Sequence, residues 1–519
     1  MDCTKLILFV VLWCANLSAS FRILGICPSS SFSHQQPFQA LMKALVMKGH
    51  EVTVISTIPM KLPAKNYRNV DVSFTYRKKD CTGLRHVNAF KILMDNMNEA
   101  NNLCEEQLTS DAVQQLMSRN ETFDAVIIEQ LWFQCYYALV KHYNYPILIG
   151  YLSVGNLPYV MDSVGNPDDP TLNPDMAYPF TDRMTLEERI WNIIYTTWCR
   201  LYYRYVHLPR VQRILDKWFP GTSVYDVDRN FSLVILGNNH VLGYPKPLLP
   251  NVVEVHSLQI QENPDPLPIE IQDFLDSGKD GVVYFSLGSN LQGHQLPPLT
   301  LKALFDAFSA LKYRILWKYN NDASFNITNI KFVKWAPQQA ILAHPNVKAY
   351  IMQGGLQSLQ EAVHYMVPVI AIPFFGDQNF NARKILDTQI GLNLNVDSMT
   401  KETIMHAVSE VIDNPKYSKN IKQLGDILKD EPVKPLNRAL WHVEHVLKFP
   451  NARHLRYHGR DISWLEHHTV EVLFCFAIIL LISALYKCSV MRERNVIRHK
   501  CKMQNRFEEI ASHSKSKDN

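Results

Sequence analysis

The chain predicts an α/β protein of two large domains built on parallel strands, followed by a single membrane-spanning helix. Three observations carry this. Its 519 residues exceed one ordinary domain and suggest two, plus appendages. Short apolar runs bounded by turn residues alternate with segments of helical spacing. A seventeen-residue apolar stretch, 470–486 (VEVLFCFAIILLISALY), carries one acid, Glu471, near its edge.

The first domain is placed at 21–260. Residues 22–27 (RILGIC) read as a buried first strand, followed by a polar loop, 28–36, that contains His34. A helix with its apolar stripe at Phe38, Leu41, Leu45 and Val46 comes next, then a second strand at 52–56 (VTVIS), so the order is βαβ. A later strand-like run, 123–129 (FDAVIIE), ends on Glu129, with Asp124 at its start. Residues 156–180, with five prolines, predict a long loop at the rim of a ligand site. The aromatic segment 190–205 (IWNIIYTTWCRLYYRY) leaves three readings open: a face against a bilayer, the wall of a pocket, or ordinary core.

Three prolines in 261–268 (QENPDPLP) mark the boundary, and the second domain is placed at 261–445. Its first strand, within 281–287 (GVVYFSL), leads to a turn at Gly288-Ser289-Asn290. Residues 347–352 (VKAYIM) read as a buried parallel strand, followed at once by Gly354-Gly355 and a helix with Leu356, Leu359 and Val363 on one face and Gln357 and Glu361 on another. Strand, paired glycine and helix form a phosphate-binding arrangement. Glycine lets the backbone approach closely, and the free N–H groups at the helix start favour an anion. A further strand, 367–372 (VPVIAI), ends in Pro373 and the polar sequence FFGDQN, 374–379, at the end of the sheet where open α/β folds bind ligands.

The segment 332–381 resembles the signature of the UDP-glycosyltransferases, membrane-bound enzymes that conjugate sugars to small lipophilic molecules. The resemblance implies that Trp335 stacks on uracil and that Gln338 meets the base or ribose. It also implies that Gly354-Gly355 hold the diphosphate, that Glu361 binds the ribose hydroxyls, and that Asp377 and Gln378 hold the sugar. Gln353, Gln357 and Ser358 flank the glycine turn as further donor contacts. Ser286 and Ser289 are hydrogen-bonding candidates for the diphosphate. In the first domain the family pattern places a catalytic histidine at His34. A neutral imidazole suits removal of the acceptor proton near neutral pH. The orienting acid falls at Glu129, where the family has aspartate. Two more departures are Gln353 for a histidine and Met366 for a glycine. The variant QGGLQS resembles arthropod members, many of which use UDP-glucose.

The fold so implied is of the GT-B type, two facing Rossmann-like domains with acceptor on the first and donor on the second. The implied reaction is inverting transfer of a hexose, glucose foremost, from a UDP-sugar to a hydroxyl of a small lipophilic acceptor, as in detoxification by conjugation. Alternatives that remain open are UDP-glucuronate as donor, a lipid or sterol acceptor, and a catalytically silent relative that binds UDP-sugars or lipophiles. No cofactor or metal is expected beyond the co-substrate: the chain lacks an Asp-x-Asp placed to hold Mg²⁺, a His/Cys ligand cluster, and the nucleotide motifs G-x-x-x-x-G-K-[ST] and G-x-G-x-x-G.

Topology follows from the ends. Residues 1–20, with Lys5, an apolar run and Ser18-Ala19-Ser20, read as a cleavable secretory signal. After a membrane-proximal linker, 446–469, and the apolar span, residues 487–519 carry nine Lys or Arg against four Asp or Glu. Positive-inside bias places this tail in the cytosol and both domains in the lumen, a single-pass type I arrangement. The other reading of these segments is a buried helix followed by a basic nucleic-acid arm; with the signal sequence predicting the same topology independently, no nucleic-acid partner is expected. The closing residues Lys515-Ser516-Lys517-Asp518-Asn519 resemble a dilysine signal for return to the endoplasmic reticulum. Asn120, Asn230 and Asn326 head lumenal N-glycosylation sequons. Five lumenal cysteines (27, 81, 104, 135 and 199) allow at most two disulfides and demand none. Homo- or hetero-oligomers are common among such relatives.

Overall fold

The computed structural model describes residues 20–77, 81–289, 291, 295–319, 327–450, 452–461 and 470–515. The signal-like segment, Asn326 and the last four residues of the dilysine-like end therefore lie outside the described residues. The chain forms two compact units that divide after Tyr457.

Within the first unit, seven parallel strands form one sheet: β1 (Arg22–Cys27), β2 (Glu51–Ser56), β3 (Tyr67–Asp71), β4 (Ala125–Glu129), β5 (Ile147–Leu152), β6 (Phe231–Leu236) and β7 (Val252–Glu254). Their order is β3-β2-β1-β4-β5-β6-β7. A second parallel sheet, in the order β10-β9-β8-β11-β12-β13, uses β8 (Val282–Ser286), β9 (Arg314–Lys318), β10 (Ile330–Val333), β11 (Val347–Met352), β12 (Val369–Ala371) and β13 (Gly391–Asn393). Both orders reverse direction beside their first strand, which opens a crevice at the carboxyl ends of the central strands. Helices cover both faces of each sheet, so the central strands are buried and read as near-continuous apolar runs, with only Arg22 at the start of β1 and Lys348 near the start of β11 exposed.

Several boundaries differ from the sequence reading. The helix after β1 begins at Phe32, so His34 sits in its first turn and not in a loop. Pro37 lies inside this helix; near the start it forfeits one backbone bond without breaking the turn. The proline-rich stretch contains a helix, Pro158–Val164. The aromatic segment forms helix Leu186–Tyr202, opened by a capping box at Thr185 and Glu188, and it turns Tyr195 and Cys199 inward while Ile190, Trp191 and Ile194 stay exposed. Helix Pro435–Lys448 lies in sequence within the second domain but packs on the first. Ala439, Leu440, Val443 and Val446 share one apolar cluster with Phe38, Leu41 and Leu45. Its apolar stripe carries no mark of which sheet it meets, so the domain exchange is set by tertiary packing alone.

In the second unit one helix, Val470–Lys515, runs unbroken from the apolar span into the basic segment. Leu473–Arg506 is long and apolar enough to cross a membrane by length and composition.

Cys104, on helix Ala89–Leu108, is disulfide-bonded to Cys135, with the Cα atoms 6.2 Å apart. The bond closes a sequence separation of 31 residues, for which restriction of the unfolded chain contributes about 3.7 kcal/mol. Replacing both cysteines by serine is expected to lower the thermal midpoint of unfolding by several degrees, followed by circular dichroism with and without reductant. An unchanged midpoint, or an equal fall on reducing the variant, would place the stability elsewhere.

Candidate active site

The crevice begins with a carboxylate. Glu129 ends β4, and β1 and β5 flank it in parallel register. Its side chain is fully buried, and three elements meet it there. His34 Nδ1 lies 2.9 Å from Oε1, the Ser153 hydroxyl donates to Oε1 at 3.2 Å, and the Cys27 thiol donates to Oε2 at 3.6 Å. Burial alone pushes the Glu129 carboxyl up, but the hydrogen bond and charge of His34, with Ser153, outweigh it and hold the group below its ordinary value. The Cys27 thiol is pushed well up by burial and by the Glu129 charge, so it stays a protonated donor. An ionised Glu129 accepts only, so in the neutral imidazole the proton sits on Nδ1 and Nε2 keeps its lone pair. His34 stays partly open, at 19 % side-chain exposure. The extra methylene of glutamate thus still reaches the imidazole.

Gln35 fixes the turn that delivers His34. Its amide donates to the carbonyls of Cys27 and Ser29, and its oxygen accepts from Ser56. Gln35, Cys27 and Ser153 escape sequence reasoning; position at the carboxyl end of a central strand is the signal that could have found Ser153.

A second set of residues lines a cleft of about 410 Å³ between the two sheets. Trp335 lies on it, 59 % exposed, with Phe32 edge-on at 5.1 Å and Lys318 Nζ over its ring at 4.6 Å. Lys318 also donates to the Gly288 carbonyl at 3.0 Å; the sequence reading missed it. Gln338 accepts from the Tyr350 and Tyr284 hydroxyls and donates to Glu361 Oε2 at 2.7 Å and to Ser358. Burial pushes the Glu361 carboxyl up to about 7 against hydrogen bonds from Gln338, Gln259 and Gln339.

Gly354 has φ +88°, and a Cβ there would come within 3.1 Å of the Gln378 carbonyl, so a side chain is strained on both counts. Gly355 caps helix Leu356–His364, whose first N–H, on Leu356, donates to Asp377 Oδ2 at 3.2 Å. Burial pushes the Asp377 carboxyl up, opposed by the Asn381 amide and by His34. Gln378 Oε1 accepts from the backbone of Phe374 and Phe375 and so holds the loop. Gln353 lines the cleft with a buried Oε1 that has no partner among the described residues.

Two predicted residues take other places. Ser286 is buried, accepts from Gly288 N–H, and is not among the cleft-lining residues, whereas Ser289 is. Gln357 lines the cleft, but its amide donates across it to the Ser153 carbonyl at 2.7 Å. With Gln360, which donates to the Gly237 carbonyl, it docks the second domain on the first. Asp124 instead accepts from Arg22 N–H, remote from the histidine. Asn120 and Asn230 are exposed.

A second cavity, of about 350 Å³, lies on the first domain and is mostly apolar, with Leu93, Leu103, Trp132, Phe133 and Met176 in its wall. His34, Val154, Ser289, Phe375 and Asp377 line both cavities. A polar cleft with an aromatic face and a helix N-terminus therefore opens onto an apolar pocket, and an imidazole oriented by a carboxylate stands where they meet.

A family model described as UDP-glucoronosyl and UDP-glucosyl transferase matches residues 23–503. The chain belongs to this family. UDP-glucosyltransferase 2 of Dactylopius coccus is 31% identical over 505 residues, covering 92% of this chain and 96% of that one. UDP-glucuronosyltransferase 1A10 of Homo sapiens is 27% identical over 489 residues, covering 90% and 91%. Among solved structures, the calicheamicin glycosyltransferase CalG4 superposes with TM-score 0.55 at 16% identity over 83% of this chain and all of that one. A UDP-glucose: anthocyanidin 3-O-glucosyltransferase in complex with UDP gives 0.52 at 16% over 82% and 99%. The fold is GT-B, and the protein is a UDP-sugar glycosyltransferase.

For this UDP-glycosyltransferase, the ribose contact that the resemblance implies for Glu361 would make nucleotide affinity depend on pH, because the carboxyl is buried. A carboxyl pushed up to about 7 loses its proton across pH 6 to 8, and a carboxylate is the stronger acceptor for hydroxyls, so a ribose contact at Glu361 would raise UDP affinity over that range. Glu361→Gln should bind about tenfold more weakly at pH 8 and lose the difference in slope from wild type, read by calorimetric titration of both proteins. Gly354→Ala should weaken UDP binding at every pH without altering the slope.

Proposed function

We propose that the protein transfers glucose from UDP-glucose to a hydroxyl of a small lipophilic acceptor, with inversion at the anomeric carbon. The observation that carries this reading is the meeting of the two cavities at His34 and Asp377. In it the apolar pocket holds the acceptor and the polar cleft the UDP-sugar, a division supported by the wall chemistry of each.

Trp335 supplies the aromatic face for uracil, while Gln338 and Glu361 meet the ribose. The start of helix Leu356–His364 faces the diphosphate, where the N–H groups after that of Leu356, which donates to Asp377, stabilise charge as UDP departs. Lys318 stands on the same cleft as a cation. Asp377 and Gln378 hold the sugar hydroxyls, and His34 Nε2 takes the acceptor proton as the oxygen attacks. Glu129 then stabilises the imidazolium. The reading invokes no metal and no cofactor beyond the co-substrate. UDP-glucose is preferred as donor on the QGGLQS variant and on the name of one relative, UDP-glucosyltransferase 2 of Dactylopius coccus.

The same proposal places the enzyme in the endoplasmic reticulum membrane as a single-pass type I protein. Its two domains are lumenal and glycosylated at Asn120 and Asn230, where they inactivate lipophilic compounds by conjugation. The apolar span, the basic segment after it and the dilysine-like end support this arrangement.

The test is conjugate formation by membranes carrying the full chain, supplied with UDP-glucose or UDP-glucuronate and a panel of phenols and alcohols, with products read by mass spectrometry. A hexoside whose kcat falls by roughly 10²–10⁴-fold in His34→Ala is the expected result. A glucuronide alone would overturn the donor, and a hexoside undiminished in the variant would overturn the role of His34. Glu129→Gln should fall by a comparable factor, because an amide does not stabilise the imidazolium, and Glu129→Asp by roughly tenfold.

A further inference from the structure

The apolar pocket contains a carboxyl that the proposed transfer does not use. Asp175, in the loop between helices Pro158–Val164 and Leu186–Tyr202, lines the pocket with Met176, Ala177, Tyr195 and Cys199 and is only 7 % exposed. Its Oδ1 accepts from the Ala177 N–H at 2.9 Å, while its own N–H donates to Asn192 at 2.8 Å. Asn192 also ties down the carbonyls of Pro170 and Asn173, so the side chain is held in place before any ligand arrives. Among the described residues Oδ2 has no hydrogen-bond partner, and Asp175 has no ion-pair partner within 4.0 Å.

The nearby arginines are committed elsewhere, and Lys246 makes no ion pair with Asp175 among the described residues. Arg200 binds Asp162 and Asp168, and at the pocket rim Arg77 pairs with Glu106 and Arg85 with Asp397. Lys246 reaches Asp175 only through its field, as do Asp168 and Arg200. Burial pushes the Asp175 carboxyl up to about 7, as expected of an acid waiting for a counter-charge in an apolar wall.

We propose that Asp175 makes this pocket selective for acceptors that carry, besides the reacting hydroxyl, a protonated amine that binds its free carboxylate oxygen. An apolar wall alone disfavours an ammonium group, whereas a buried, preorganised carboxylate compensates its lost hydration and rejects analogues that leave the carboxylate unpaired. Asp175 is thus a specificity-determining residue, separate from the His34–Glu129 pair. The inference rests on the acceptor reading given above.

Its test uses the full-length protein in detergent or membranes and three matched series of phenols, with 4-alkyl, 4-(ω-hydroxyalkyl) and 4-(ω-aminoalkyl) tails of two to four carbons. Asp175→Asn keeps the oxygen that accepts from Ala177 but turns an amide donor toward the pocket. The ratio of kcat/KM for the best aminoalkyl phenol to that for its alkyl counterpart is expected to fall at least about tenfold in the variant, through KM. The hydroxyalkyl ratio should fall less, because a hydroxyl can accept from the new amide. Binding of the same series, followed by thermal shift with UDP present, separates the two readings. Amine-selective binding that depends on Asp175 without any conjugate would contradict the transfer reading and leave this one standing. Conjugation of all three series with ratios unchanged in the variant, or equal binding of all tails to both proteins, would overturn the role of Asp175.

Discussion

A fully buried carboxylate at the end of the central strand β4 is the constraint around which the site is built. An unpaired charge there would cost several kcal/mol, so the neighbouring strands and the first helix must supply donors. Cys27 comes from β1, Ser153 from just beyond β5, and His34 from the helix that Gln35 anchors to the same strand ends. The requirement to satisfy Glu129 and the requirement to orient a base are met by one arrangement. The imidazole tautomer follows from it, since a carboxylate accepts and does not donate.

The second constraint lies across the crevice. The two domains meet through polar side chains on backbone carbonyls: Gln357 on Ser153, Gln360 on Gly237 and Lys384 on Gly243. Helix Pro435–Lys448 adds an apolar tie by crossing back to the first domain. Ser153 is shared, its hydroxyl on Glu129 and its carbonyl on Gln357. The docking of the donor helix and the orientation of His34 therefore run through one residue, and a shift of either domain is felt at the base.

Much of this was legible in the sequence, for physical reasons. Gly354-Gly355 follow a parallel strand directly and the Asp377-Gln378 pair stands at the end of the loop after another, where apolar runs stop and polar residues begin, whereas Glu361, inside the helix that follows the glycines, is reached through the family resemblance. His34 was legible by position after the first strand, though its place in a helix was masked by Pro37, which imitates a helix boundary. The crossing of helix Pro435–Lys448 was not legible, because an amphipathic stripe does not name its partner. Nor was the Cys104–Cys135 bond, since five cysteines leave the pairing open. The turn of Gln357 into a domain contact, the withdrawal of Ser286 beneath the cleft and the unpaired Asp175 all depend on contacts between segments far apart in the chain.

The central claim is that the acceptor oxygen enters from the apolar pocket, is deprotonated by His34, and displaces UDP held in the opposite cleft. The most direct test is the anomeric configuration of a purified conjugate made from an α-linked UDP-hexose, read from the coupling between sugar protons H1 and H2 by nuclear magnetic resonance. The account predicts a β-linked product, because attack and departure lie on opposite sides of the anomeric carbon. An α-linked product would contradict it, since the oxygen would then have entered from the side that UDP leaves.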